Sequence, residues 1–165
     1  MHKESNNKTS VEITEGTEGD IGEVIKIWTQ TINQHAEFDR DFTLDIDGEI
    51  NFHFVLETAL RDQTQAFFVA KVGNKIIGFL YGYIKIHSGF FKKRIIAHIS
   101  DIAVKDSFRR KGVGTDLMRC FEDDFAKKNS ANCMSLYVHI QNQSGLEFYD
   151  KLGFERKLIS MKKDL

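Results

Sequence analysis

Between Ile102 and Met118 the chain reads I-A-V-K-D-S-F-R-R-K-G-V-G-T-D-L-M. An apolar, β-branched run ends there, a basic turn with two glycines follows, and an amphipathic helix begins within the turn. The free N–H groups at a helix start, together with the positive end of its dipole, suit a diphosphate. Gly112 and Gly114 would let an anion approach the main chain closely. Thr115 could add a hydroxyl, and Arg109, Arg110 and Lys111 would supply counter-charge. The turn matches neither familiar nucleotide fingerprint. It has no Gly-Lys-Ser/Thr after four spacing residues, and Leu117 stands where a dinucleotide loop would need glycine or alanine. A plainer reading is a solvated basic turn that caps a helix.

The elements that must hold this turn can be read from periodicity. V-E-I-T at 11–14 alternates as a first strand. Ile21, Val24, Ile25, Trp28 and Ile32 recur at helical spacing as far as Asn33. An acidic loop covers 35–48, and a second helix covers Glu49 to Leu60. A-F-F-V-A-K-V and K-I-I-G-F-L-Y-G-Y-I-K-I flank Gly73-Asn74 as a long hairpin. A basic, aromatic loop at 87–94 precedes a central strand from Ile95 to Val104. After the turn, Val113, Leu117, Phe121 and Phe125 mark one face of a helix. M-S-L-Y-V-H-I then alternates as a strand, a short helix stops at Gly153, and F-E-R-K-L-I-S-M-K-K reads as a last strand. The order is β-α-α-β-β-β-α-β-α-β, an α/β layer with no repeat.

Composition narrows the function classes. The 165 residues carry 41% hydrophobic and 28% charged side chains, too apolar for general disorder and sized for one domain over 1–165, with 1–9 frayed. A net charge of −1 conceals an acidic first half and a basic second half. A uniformly basic nucleic-acid binder would not look like this, even with Lys92 to Arg94 beside Arg109 to Lys111. No apolar run reaches membrane-spanning length and the first residues lack a signal peptide, so a cytoplasmic location is the expectation, with no membrane partner. Cys120 and Cys133 lack paired-cysteine spacing and read as small buried apolar residues. His35, His53, His87 and His139 stand without ligand partners at metal-like spacing, so no metal site is expected.

Arg109-Arg110-Lys111-Gly112-Val113-Gly114 resembles the R/Q-x-x-G-x-G/A signature of the GCN5-related N-acetyltransferase (GNAT) family. Asn142 to Phe154 resembles its second element, N-x-x-A-x-x-F-Y-x-x-x-G-F, in family order and at typical spacing. Gly145 stands where alanine is usual, a substitution expected to weaken that helix by about 1 kcal/mol. The proline often found before the Arg/Gln is missing. The resemblance covers the whole chain and implies a mixed, mostly antiparallel central sheet flanked by helices. By it, the main-chain amides of Arg109, Arg110, Lys111, Gly112, Val113, Gly114 and Thr115 would hold the pyrophosphate of acetyl-CoA, the co-substrate. Ile102, Ala103 and Val104 would face the pantetheine arm with main-chain groups, one amide serving the oxyanion. Asn142 would lie near the coenzyme and Tyr149 beside its sulfur.

Acetyl transfer from a thioester to an amine needs a neutral nucleophile, whereas an alkyl ammonium is mostly protonated at neutral pH. The site must take up a proton, stabilise an oxyanion and reprotonate the thiolate. Plain alternation places His98, Ser100, Ile102 and Val104 on one strand face and Ile99, Asp101 and Ala103 on the other. His98 falls where some GNAT proteins place a catalytic glutamate or histidine, and its ordinary pKa near 6.5 suits a base. Asp101 matches an acidic position of the polyamine and antibiotic acetyltransferase branches. Tyr149 would act as general acid. The structural alternatives are a bonded, partly buried His98, an Asp101 holding main-chain amides, and a Tyr149 packed in the core.

Tyr81 and Tyr83 could line an acceptor cleft or could simply pack. The acidic stretch Glu37, Asp39, Asp41, Asp45 and Asp47 would favour a polyamine, aminoglycoside or lysine-bearing acceptor if it borders that cleft. The expected partner is a small-molecule amine, ahead of a protein or peptide lysine or N-terminus, and the resemblance implies a homodimer. The rival from another class is a non-catalytic acyl-CoA binding or sensing module. It would need the phosphate turn but neither Tyr149 nor a base.

Overall fold

The computed structural model describes residues 10–37, 39–90 and 92–164. The first nine residues, expected to fray, lie outside them. In chain order the elements are β1 (Val11–Glu15), α1 (Ile21–Ala36), α2 (Gly48–Ala59), β2 (Gln65–Val72), β3 (Lys75–His87), β4 (Arg94–Val104), α3 (Val113–Cys120), β5 (Cys133–Leu136) and α4 (Gln143–Lys151). Helix α3 continues through a π-helical turn at Phe121–Ala126. Short 3₁₀ turns precede α1, interrupt the acidic loop at Arg40–Phe42 and lead out of β4 at Asp106–Phe108. Among the described residues no helix is long and apolar enough to cross a membrane.

The strands form one sheet in the order β1-β2-β3-β4-β5. The first three pairings are antiparallel, while β4 and β5 run parallel, because the chain crosses over between them through α3. Both faces are covered, as the mixed α/β expectation requires. Phe68, Ala70, Ile77, Leu80, Ala97 and Ile99 meet Val113, Leu117, Phe121 and Phe125 of the α3 segment on one side. Phe67, Val69, Phe79, Tyr81 and Ala103 meet Ile21, Val24 and Ile27 of α1 and Phe52 and Leu56 of α2 on the other. Each fully buried Phe or Leu in these layers contributes about 2–3 kcal/mol by removal from water.

Two sequence expectations fail on β4 and beyond. The first concerns faces. Tyr81 pairs with Asp101 but its neighbour Gly82 pairs with Ile99, so Ser100 is an extra, bulged residue. One inserted residue inverts the alternation downstream. Ile99 and Ile102 therefore both pack toward α3, whereas Ala103 lies in the layer of α1 and α2. Asp101 bonds Trp28 of α1, and His98 contacts Tyr83, so His98 and Asp101 share a face that plain alternation had denied them.

The second concerns the chain end. Residues 154–163, expected as a last strand, form no strand. Strand β5 runs for only four residues, Cys133–Leu136, and ends before Y-V-H-I of the expected strand, so it offers a short ladder. The end segment is held by its charges instead, Arg156 on Asp150 and Lys162 on Asp41, while Leu158, Ile159 and Met161 stay exposed. Cys133 also departs from expectation. It opens edge strand β5 and is exposed, whereas Cys120 is half-buried.

Candidate active site

The turn after β4 is built by backbone conformations that its sequence permits. Arg110 has φ of 58° and Gly112 φ of 87°, both left-handed, so successive N–H groups swing toward the start of α3. Gly112 is the N-cap residue, and no side chain caps the helix. The first-turn amides of α3 thus keep their capacity to bind an anion. Gly114 serves packing. A Cβ there would stand 3.2 Å from Phe148 Cζ, so its absence lets α4 close against the helix start.

Arg109 turns away from the anion position. Its Nε donates to the Val104 carbonyl at 3.0 Å, and its Nη2 meets Asp106 Oδ1 at 3.0 Å and Gln34 Oε1 at 3.3 Å. It therefore braces the turn against β4 and α1. Arg110 and Lys111 are exposed at the turn as counter-charge, with Lys111 Nζ 5.3 Å from the Phe108 ring centroid.

Upstream, β4 has an open edge. It pairs with β5 only from Ile96 to Ile99, while its pairing with β3 continues to Val104. Among the described residues, the edge facing away from β3 has no strand partner from Ser100 to Val104. Main-chain groups of Ile102, Ala103 and Val104 can there meet an extended, amide-bearing ligand whose anionic end reaches the helix start.

Asp101 stands beside this opening. Its Oδ1 accepts from Trp28 Nε1 at 2.9 Å, and the Trp28 ring stacks on Phe52 at 4.3 Å, which fixes the donor. Burial raises the Asp101 carboxyl above the usual carboxylate range, against the hydrogen bonds from Ser100 and Trp28. Tyr149 projects from α4, with its ring against Phe148 and Phe154. Burial, and then the Asp101 charge, push its hydroxyl up to about 12, so it stays protonated as a proton donor must.

His98 is 3% exposed, with Nδ1 2.9 Å from Ser135 Oγ. The rings of Tyr83 and Tyr137 flank it at 5.3 and 5.0 Å. Burial, aided by the Lys85 charge, lowers its pKa to about 4. The imidazole is therefore neutral at physiological pH, but it is a weaker proton acceptor than the ordinary value suggested.

Asn142 caps α4, its Oδ1 accepting from the Gly145 amide at 3.0 Å. Gly145 has a reason here: a Cβ would lie 2.7 Å from Asn142 Nδ2, so alanine would force the capping side chain to shift. The π-turn extending α3 and the bulge in β4 are likewise invisible to a periodicity count.

The structure adds residues that the sequence left isolated. Trp28 positions Asp101. His35, at the end of α1, is depressed by burial and by His139, and is countered by Asp101. His139 pairs with Asp39, and Phe42 sits edge-on to both histidines. The acidic segment is thus tied down at Asp39 and Asp41 rather than wholly solvated. Tyr81 donates to Gln65 Oε1 at 2.8 Å, and both line a shallow pocket of about 260 Å³ with Thr64, Tyr83 and Ile84. Sequence separations of 73 between Trp28 and Asp101 and 37 between His98 and Ser135 leave no local signal for these pairs.

A profile of the acetyltransferase (GNAT) family matches residues 26–154. The chain belongs to the GNAT family. This GNAT chain is 37% identical over 97 residues to an uncharacterized N-acetyltransferase of Methanocaldococcus jannaschii, covering 59% of the chain and 42% of that protein. The chain thus spans less than half the length of that relative. It is 30% identical over 159 residues to an N-alpha-acetyltransferase of Sulfolobus acidocaldarius, covering 90% of each. A tetramutant protein of Bacillus halodurans shares the GNAT chain's fold with a TM-score of 0.81 at 21% identity, over 93% of this chain and 99% of that one. Uncapped helix start, open β4 edge and protonated Tyr149 all fit an acyl-CoA thioester as substrate.

Proposed function

We propose that this GNAT protein transfers an acetyl group from acetyl-CoA to a primary amine by direct attack in a ternary complex. The observation that carries the reading is the unpaired β4 edge from Ser100 to Val104, which leads straight into the uncapped start of α3. Amides along that edge would hold the thioester and face its developing oxyanion. Arg110, Lys111 and the amides of Gly112 to Thr115 would bind the pyrophosphate, with Arg109 bracing the turn.

Asp101 and Tyr149 divide the proton work. Asp101, in its ionised form, would take the proton from the incoming ammonium directly or through water. Tyr149 gives its proton to the departing thiolate. His98 is covered by aromatic rings and holds Ser135, so it shapes the acceptor side rather than serving as the first base.

For the acceptor, the tyrosine-lined pocket beside Gln65 and the anchored acidic segment favour a small cationic amine, a polyamine or aminoglycoside among them. A second reading, the α-amine of a peptide, is favoured by the Sulfolobus acidocaldarius relative, which is named an N-alpha-acetyltransferase and aligns over 90% of both chains. Thiol release from acetyl-CoA, followed across polyamines, aminoglycosides and short peptides, separates the two. Tight acetyl-CoA binding with no acceptor-dependent release would replace the enzyme with a non-catalytic sensing module.

A further inference from the structure

Lys85 makes no ion pair with a carboxylate among the described residues. Its Nζ instead lies 5.4 Å from the ring centroid of Tyr83 and 5.0 Å from that of Tyr137. Both distances fall within cation–π range, and two rings around one ammonium make a receptor for a cation.

The position of this receptor is set by the sheet. Tyr83, His98 and Ser135 are in register across β3, β4 and β5. Tyr83 packs on the layer of α1 and α2, the side on which Asp101 also lies. Tyr83 is at once a wall of the receptor and a wall of the shallow pocket with Thr64, Gln65 and Tyr81, so the two spaces adjoin. Tyr137 is 79% exposed, and its ring nevertheless lies over His98 and Lys85. The outer wall is therefore reachable from solvent.

We propose that Tyr83 and Tyr137 form an ammonium-binding slot for the cationic acceptor, and that Lys85 occupies this slot until the acceptor displaces it. The proposal rests on the amine-acceptor reading above and names the chemistry that selects the acceptor: a positive, alkyl-substituted nitrogen presented to two phenol faces. Lys85 acts as a tethered competitor. It keeps the slot desolvated and closed over His98 in the free protein, and it sets a threshold that neutral molecules of the same shape do not pass.

The test reads Lys85 directly. Reductive ¹³C-methylation keeps lysine cationic and gives each side chain an NMR signal, with Lys85 assigned through Lys85→Arg. In the free protein its signal is expected upfield of the other lysines, because it sits between ring faces. Spermidine or tetramethylammonium should return it to the ordinary lysine position, whereas 3,3-dimethylbutanol at equal concentration should not. Tyr137→Leu should abolish both the shift and the response. In kinetics with an amine that is acetylated, Tyr137→Leu should raise KM for the amine by about 3- to 30-fold, and Lys85→Met should lower it by about 3- to 10-fold.

An unshifted Lys85 signal, or one that neither cation moves, overturns the slot. So does a KM for the amine that stays within about twofold in both variants. Displacement of Lys85 by both cations, with no acetyl transfer to any amine, upholds the slot and removes the acetyltransferase reading instead.

Discussion

Tyr149 and Asp101 belong to different elements, yet the charge of one helps to hold the proton on the other. That coupling suits a donor that must not ionise before the thiolate leaves. Replacing Tyr149 with Phe keeps the ring packing against Phe148 and Phe154 and deletes only the hydroxyl. Turnover is expected to fall by about one to three decades, at the lower end of general-acid effects and below, with the fold intact by circular dichroism. Full turnover in the purified variant would remove the proton-donor role. The types of these residues were legible in the sequence, because Tyr149 sits in a spaced motif and Asp101 precedes the turn. Their environments were not. Nothing near His98 in the chain announces that Tyr83, Ser135 and Tyr137 will bury it and pull its pKa from 6.5 to about 4.

At the level of elements, the periodicity of apolar residues located every helix and the first four strands within a few residues. Periodicity counts residues and senses no contacts, so a single insertion or a side-chain clash escapes it. Ser100 is such an insertion. Deleting it should remove the bulge and leave the flanking side chains on their present faces, Ile99 and Ile102 toward α3 and Asp101 toward Trp28. The expected outcome is retained cooperative unfolding and unchanged emission from Trp28, the single tryptophan. A red-shifted emission or loss of cooperative folding would argue that Ser100 is not a simple insertion between two correctly facing segments. Gly145 is a second case. Helix propensity alone favours Gly145→Ala by about 1 kcal/mol. The displaced Asn142 cap costs about 0.5–2 kcal/mol, so the two nearly cancel. Urea unfolding should show little net gain, and a full gain of about 1 kcal/mol would mean that Asn142 moves aside freely.

For the molecule as a whole, His98 makes stability depend on pH. Its folded pKa of about 4 lies below its unfolded value, so between the two the unfolded chain binds the extra proton. This contribution is fully present above about pH 6.5 and is lost as pH falls toward 4. Asp101, raised by burial, works in the opposite sense but is common to both proteins, so the comparison isolates the imidazole. Between pH 7 and pH 4.5 the wild type should lose about 2 kcal/mol more than His98→Phe, measured by urea unfolding. Equal losses would show that the ring titrates freely in the folded state. The parting of β4 from β5 has a further consequence at this scale. The sheet is spliced at one end and unspliced at the other, so a guest with its own amides would serve as the missing seam between the two arms. Amide hydrogen exchange at Ile102 to Val104 should then slow on addition of coenzyme A, and the same guest, by binding only the folded form, should raise the melting temperature in proportion to the logarithm of its concentration.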